Sequence, residues 1–294
     1  MVLAVLPLAG CDDDSVSYQP VYADQPVAAE RTLILGIHPL HNPETLYATY
    51  QPLVDYLNAH LGGPKLQLEA SRSYPAFEEK LYARRFEFAL PNPMQIAKAT
   101  AEFGYHAFAK QNDDSQFCGI ILVRRDSGIR TVADLKGKTI SYPAPTALAA
   151  TMLPQDFLRQ NGIDLHRDIS SVYVGSQESS ILSVLLGQVA AGATWPPPWL
   201  KYQKEHPEQA AQLEVKWRTR SLPHNAFVAR DDVAPELIAK FKEALLSVEA
   251  TEEGRAILAR IPSSGFVAAD DSIYLPVRDY VRWFTANIRR PEDP

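Results

Sequence analysis

From Arg31 onward, short apolar runs alternate with apolar residues at helical spacing. Thr32–Ile37 has the length and content of a buried strand. Leu46, Tyr50, Leu53, Leu57 and Leu61 then recur every three or four residues, on one face of a helix that Gly62-Gly63-Pro64 ends. Leu66–Ala70 reads as a strand, Phe77, Leu81 and Tyr82 mark a helix, and Phe86–Leu90 is the next strand. Ile96–Phe103 is helical and Tyr105–Ala109 extended. After the strand Ile120–Val123, Thr131 is placed to cap a short helix over Val132–Lys136, which Gly137 closes, and Lys138–Tyr142 follows as a strand. A helix opens over Thr146–Ala150 and continues through Pro154–Gln160. It is followed by the strand Val172–Val174, the helix Glu178–Leu186, the strand Val189–Thr194 and a segment rich in Pro and Trp. The chain returns near Ser221–Val228, and the amphipathic helices Pro235–Val248 and Glu252–Ala259 lead to an aromatic-rich helical region, Asp271–Ile288. Such alternation predicts parallel sheets covered by helices.

The pattern divides into two α/β lobes, residues 31–119 with 222–294 and residues 120–221, joined by two crossovers around a hinged cleft. Ligands of open α/β sheets bind outside the carboxyl ends of the strands, which here face that cleft. The most informative stretch is Asp126–Ala150, where a strand, a Pro-stiffened loop and a helix start succeed one another. A helix N-terminus presents unpaired N–H groups and a partial positive charge, so it is a natural anion cradle.

Composition narrows the function. The chain has 294 residues, 46% hydrophobic and 22% charged, with a net charge of −6, which speaks against nucleic acid as a partner. No apolar run reaches the length of a membrane-spanning helix. The seven histidines show no metal spacing, and Gly-x-Ser-x-Gly, Walker and His-Glu-x-x-His motifs are missing. The expectation is a binding protein rather than an enzyme, with no cofactor and no metal. Cys11 and Cys118 are the two cysteines, and no structural disulfide is expected.

Asp126-Ser127-Gly128-Ile129 followed by Asp134-Leu135-Lys136-Gly137-Lys138 resembles the phosphate/phosphite/phosphonate-type substrate-binding proteins of ABC importers. The resemblance extends to Gly36-Ile37-His38-Pro39, to Tyr74 through Pro93, to Gly175-Ser176-Gln177-Glu178 through Gly192, and to Leu222-Pro223-His224-Asn225 through Leu246. It implies a type II periplasmic binding-protein fold whose cleft closes on a small ligand. It also implies delivery to an ABC permease by a monomer on the periplasmic face of the inner membrane or at the cell surface. The alternative it leaves open is a sensor that presents its closed form to a membrane histidine kinase; an enzyme on the same scaffold is a third. Leu8-Ala9-Gly10-Cys11 resembles a lipobox, making residues 1–10 a signal remnant, Cys11 the lipidated residue and residues 11–30 a tether. Asp12 then implies retention at the inner membrane.

The resemblance also locates the departures. Where the family carries Ser or Thr hydroxyls around an oxyanion, this chain has Ala147, Leu148 and Ala149, with Ala150 at the usual glycine. Gln177-Glu178 replaces the usual His-Asp, and Ala190 the usual Asp. Backbone N–H groups survive these changes. Each lost charged hydrogen bond removes about 1.5–3 kcal/mol, so weak phosphonate binding and a more apolar specificity are expected. Thr146, Tyr47, Tyr74, Tyr142, Trp195 and Trp199 are the side chains placed to compensate, with Tyr74 and Trp195 foremost because each adjoins a strand end. Asn92 either donates to a ligand or only caps its helix, and His38 is either an anion donor or a solvated loop residue. Cys118, at the start of the first crossover, is either a small buried hydrophobe or a thiolate ligand for a thiophilic species such as arsenite.

Overall fold

The structure, a computed structural model, describes residues 32–261 and 263–293. The expected signal remnant 1–10, Cys11 and the expected tether 11–30 lie outside the described residues. The chain opens with β1 (Leu33–Ile37) and α1 (Pro43–Leu61). Asn42 starts α1 by accepting the Thr45 N–H at 3.0 Å, and Gly62 ends it in the left-handed conformation, φ 56°. β2 (Leu66–Ala70), α2 (Tyr74–Tyr82), β3 (Phe88–Leu90), α3 (Pro93–Glu102) and β4 (Tyr105–Gln111) follow. β5 (Cys118–Arg124) begins after the first crossover. A 3-10 turn over Val132–Leu135, boxed by Thr131 and Asp134, leads to β6 (Lys138–Tyr142). A π-helical turn over Leu148–Met152 feeds α4 (Leu153–Gln160), then β7 (Ile169–Tyr173), α5 (Gln177–Leu185) and β8 (Ala191–Thr194). The rest is α6 (Pro196–Glu205), α7 (Pro207–Ala210), β9 (Leu213–Ser221), β10 (Ala226–Arg230), α8 (Pro235–Ser247), α9 (Glu252–Leu258), β11 (Phe266–Ala268) and α10 (Leu275–Asn287).

α6 and β9 are the longest elements that escape the apolar pattern, beside the short α7 and β11. α6 starts on Pro196-Pro197-Pro198, where proline fits because first-turn N–H groups have no helical partner. β9 is a half-exposed edge strand that alternates Val215 and Trp217 with Glu214, Lys216 and Arg218, so its period-2 signal is muted by charge.

The strands form two sheets, ordered β11-β4-β10-β3-β1-β2 and β7-β6-β8-β5-β9. β1 runs parallel to β2 and β3, and β6 parallel to β7 and β8. The expectation of parallel sheets is corrected on one point. β5 lies antiparallel to β8 and β9, and β10 antiparallel to β3 and β4, so both sheets are mixed. β5 and β10 are each the first strand after a crossover, whereas β11, also antiparallel to its neighbour β4, closes the edge of the first sheet late in the chain. A chain that leaves one sheet at the carboxyl ends of its strands reaches the other at the same kind of edge, so its first strand must run away from the cleft.

Leu35, Ile37, Phe88, Phe227 and Phe241 anchor the core on one side of the first sheet. Ile121, Val123, Ile140 and Leu158 anchor a core of the second. A further apolar cluster does not respect this division: Tyr74, Phe77 and Tyr280 of the first lobe pack with Ala147, Leu148, Met152 and Trp195 of the second. The carboxyl ends of the two sheets therefore meet. Among the described residues, no helix is long and apolar enough to cross a membrane.

Candidate functional site

Where the lobes meet lies a small, partly open cavity of about 10 Å³. From the first lobe it is lined by His38 after β1, Tyr74 at the start of α2, and Asn92 at the start of α3; Phe117 adjoins them from the crossover. The second lobe contributes Ala147 through Ala150, Gln177 and Trp195. A wider groove of about 590 Å³ lies outside it, between His41, Glu44 and Thr45 on one side and Pro197, Lys201 and Lys204 on the other. Size alone favours that groove, but Lys201 there is already paired with Glu205 at 2.8 Å. The small cavity sits at the helix start and the strand ends, where the directed polar groups converge.

The helix start supplies main-chain donors. The N–H groups of Thr151 and Met152 both go to the Ala147 carbonyl, at 2.7 and 3.3 Å, and that of Ala147 goes to Ala144. Among the described residues, no backbone carbonyl takes the N–H of Leu148, Ala149 or Ala150. These three donors lie at the positive end of a helix that continues to Gln160. Gly119 of β5 lies directly behind them: a β-carbon there would stand 2.4 Å from the Ala149 carbonyl oxygen. Only glycine lets the crossing strand come this close to the turn.

The opposite wall carries oriented side chains. His38 is buried, and its Nδ1 lies 2.9 Å from the Leu90 carbonyl at the end of β3. Burial pushes its pKa down to about 4, against the smaller upward effect of that bond, so the ring is neutral near pH 7. Tyr74 accepts a 3.4 Å bond from Gln177 Nε2 across the cleft, and Gln177 Oε1 in turn accepts the Thr194 hydroxyl at 2.8 Å. Asn92 both caps and lines. Its Oδ1 accepts the Gln95 N–H at 3.0 Å, which turns Nδ2 toward the Thr146 carbonyl at 3.3 Å. Trp195, Phe117 and His224 meet ring to ring at 5.5–5.6 Å and close the apolar side.

Further bonds tie the lobes directly. Thr146 Oγ1 donates to Glu78 at 2.6 Å, Asn42 Nδ2 to Glu178 at 3.3 Å, Arg289 Nη2 to the Pro145 carbonyl at 2.9 Å, and Tyr280 to the Met152 carbonyl at 3.1 Å. Glu78 is partly buried, and desolvation holds its pKa above the usual carboxylate range despite the bonds from Thr146 and Gln95.

Of the residues singled out from sequence, His38, Tyr74, Asn92, Ala147, Leu148, Ala149, Gln177 and Trp195 come together around the cavity. Thr146 and Glu178 act at the lobe seam instead. Tyr47 is partly exposed and donates to the Leu68 carbonyl at 3.2 Å. Tyr142 is fully buried beside Tyr173, and Trp199 packs against Tyr202. Cys118 does not line the cavity; its thiol is buried in β5 with Arg218 Nη1 at 3.9 Å, and burial pushes its pKa up. Phe117, Glu78 and His224 join the site without being expected there, although Glu78 and His224 lie in segments that carry the family resemblance. Phe117 and His224 nevertheless flank the two crossovers, which topology obliges to pass the cleft.

The family described as the periplasmic substrate-binding protein of phosphonate ABC transporters matches residues 35–274. A curated relative, the phosphate-import protein PhnD of Mycolicibacterium smegmatis, is 23% identical over 226 residues, 72% of this chain and 70% of that protein. The tetrathionate sensor histidine kinase TtrS of Salmonella typhimurium is 24% identical over 169 residues, 55% of this chain but 28% of that protein. PhnD1 of Prochlorococcus marinus, solved in complex with methylphosphonate, superposes with a TM-score of 0.80 at 17% identity, covering 87% of this chain and 99% of that one. At that identity, the superposition demonstrates a shared two-lobed fold.

Proposed function

Because the chain belongs to the periplasmic substrate-binding protein family of phosphonate ABC transporters, we propose that its cleft captures a small oxyanion for an importer, holding it by main-chain amides instead of hydroxyl side chains. One observation carries the reading: the N–H groups of Leu148, Ala149 and Ala150, unpaired by any backbone carbonyl, at a cavity shared by both lobes. Among the described residues no cationic side chain lines that cavity, which suits a ligand of low charge. Cleft closure would follow from ligand contacts to both walls, added to the seam bonds already described.

A thermal-shift screen followed by calorimetry tests this, using phosphate, phosphite, methylphosphonate, methanesulfonate, arsenite and acetate. The expected outcome is stabilisation by tetrahedral oxyanions with methylphosphonate binding weaker than micromolar, since the hydroxyls that would strengthen it are missing. Submicromolar methylphosphonate binding would show that those hydroxyls are dispensable. No stabilisation by any oxyanion would end the oxyanion reading.

In this reading the protein works as a monomer tethered by lipid on Cys11, as the lipobox-like Leu8–Cys11 suggests. Fatty-acid labelling in cells should mark the wild type and vanish in Cys11→Ser; equal labelling of both would exclude the tether. A second reading, presentation of the closed form to a membrane histidine kinase, has the partial likeness to the tetrathionate sensor behind it. A neighbouring kinase gene would favour it, and a neighbouring permease gene would favour transport.

A further inference from the structure

The histidine on the cavity wall is chemically unlike its neighbours. A carbonyl oxygen only accepts hydrogen bonds, so the 2.9 Å contact between His38 Nδ1 and the Leu90 carbonyl puts the ring proton on Nδ1. The main-chain N–H of His38 donates to the same carbonyl at 3.2 Å, and Tyr74 and Phe77 hold the ring edge-on at 6.2 and 6.5 Å. The tautomer and the ring position are thereby fixed together. In the neutral ring Nε2 is left as a bare lone pair, and among the described residues no protein group bonds it. Burial disfavours protonation, which keeps that lone pair bare near neutral pH.

The other polar groups at the cavity are donors or are already occupied. Leu148, Ala149 and Ala150 offer N–H groups. The Tyr74 oxygen accepts from Gln177, which leaves its own hydrogen free to donate. The acceptor oxygens of Asn92 and Gln177 are taken by the Gln95 N–H and the Thr194 hydroxyl. A ligand that satisfies this wall needs charged oxygens for the donors and one acidic hydrogen for His38.

We propose that His38 makes the site selective for a ligand that still carries a proton: a singly protonated tetrahedral oxyanion, whose O–H donates to His38 Nε2 while its charged oxygens take the amides of the helix start. The proposal rests on the oxyanion reading given above and adds to it a residue and a rule of discrimination. A sulfonate or sulfate of the same shape has no proton to give at neutral pH. It would set an oxygen lone pair against the Nε2 lone pair and leave a buried acceptor unsatisfied, which disfavours binding more than a merely missing contact would.

Titration calorimetry on the full chain at neutral pH, with methylphosphonate against methanesulfonate and phosphate against sulfate, decides it. The protonatable member of each pair should bind about 30-fold or more tightly, in line with the discrimination a buried unpaired polar group produces. His38→Gln, which brings an N–H to the same wall, should narrow each ratio by about tenfold while the melting temperature of the free protein confirms folding. Should that variant fail to fold, the wild-type ratios decide alone. Methanesulfonate binding within about threefold of methylphosphonate would overturn the selectivity and leave oxyanion capture standing. If neither member of either pair binds, the oxyanion reading falls and this proposal falls with it.

Discussion

The two walls of the cleft solve the same task by different means. On the second lobe, Ala147, Leu148, Ala149 and Ala150 offer no side-chain polar group, and the chemistry resides in main-chain N–H groups and the helix dipole. On the first lobe, His38, Tyr74 and Asn92 act through side chains, each turned by a specific partner: Leu90, Gln177 and Gln95. Main-chain donors at a helix start persist whatever side chains surround them, so they supply general anion affinity. Oriented side chains supply discrimination. In the proposed reading, the missing hydroxyls on one wall leave discrimination to the other.

Acid should act on the two walls unequally, because the buried histidines His38, His41 and His224 all belong to the first lobe. His38, His41 and His224 are all buried, and burial lowers their pKa values to about 4, 3 and 3. Lys201 and His38 add to the lowering at His41. At His224, Asp114 and Asp113 oppose it while Lys110 and His38 add to it. Glu178 stands 3.8 Å from His41 Nδ1, too far for a hydrogen bond that would offset burial. In the unfolded chain these rings titrate near pH 6.5. Between there and the folded values the unfolded state binds more protons, so stability is full above the unfolded pKa and is lost as pH falls toward the folded ones. By pH 4.5 each ring still neutral corresponds to roughly 2–3 kcal/mol. Glu78, raised by burial, acts in the opposite sense and relieves part of the loss. Urea unfolding at pH 7 and pH 4.5 should differ by roughly 5 kcal/mol or more, and removal of one ring by His41→Phe should shrink the difference. A flat profile over this range would contradict the picture of neutral buried rings.

Legibility in the sequence follows the same line between backbone and side chain. The strand Lys138–Tyr142 and the helix opened by Asn42 and closed at Gly62 are local events, so apolar period and capping residues disclose them. The reversed β5 and β10 are not local: their direction depends on where the partner sheet presents its strand ends. The site divides likewise. Trp195 directly follows a strand and Tyr74 opens the helix after one, where the pattern points to them, and both line the cavity. Tyr142 ends a strand, but its side chain turns into the core beside Tyr173, because alternation along a strand sends neighbouring side chains to opposite faces. His38 reads from sequence as a loop residue with two open roles. Its acceptor character depends on Leu90, 52 residues away, and becomes visible only once β1 and β3 are paired.

The smallest expected effect is the most direct test of the comparison, since it gives one wall the kind of group the other already has. Ala149 is buried at the cavity, on the helix start whose amides form the cradle. Ala149→Ser adds a single hydroxyl there with little change in volume. If the apolar lip weakens an otherwise intact anion site, the new donor should raise methylphosphonate affinity about tenfold, the lower end of what a hydrogen bond to a charged group contributes. The ratio between methylphosphonate and methanesulfonate should stay nearly unchanged, because a donor serves both and discrimination belongs to His38. Calorimetry reads both quantities in one series. Unchanged affinity would mean that the main-chain donors already satisfy the anion, so the missing hydroxyls do not explain weak binding. A changed ratio would mean that specificity resides on the lip after all, and the division of labour between the walls would be wrong.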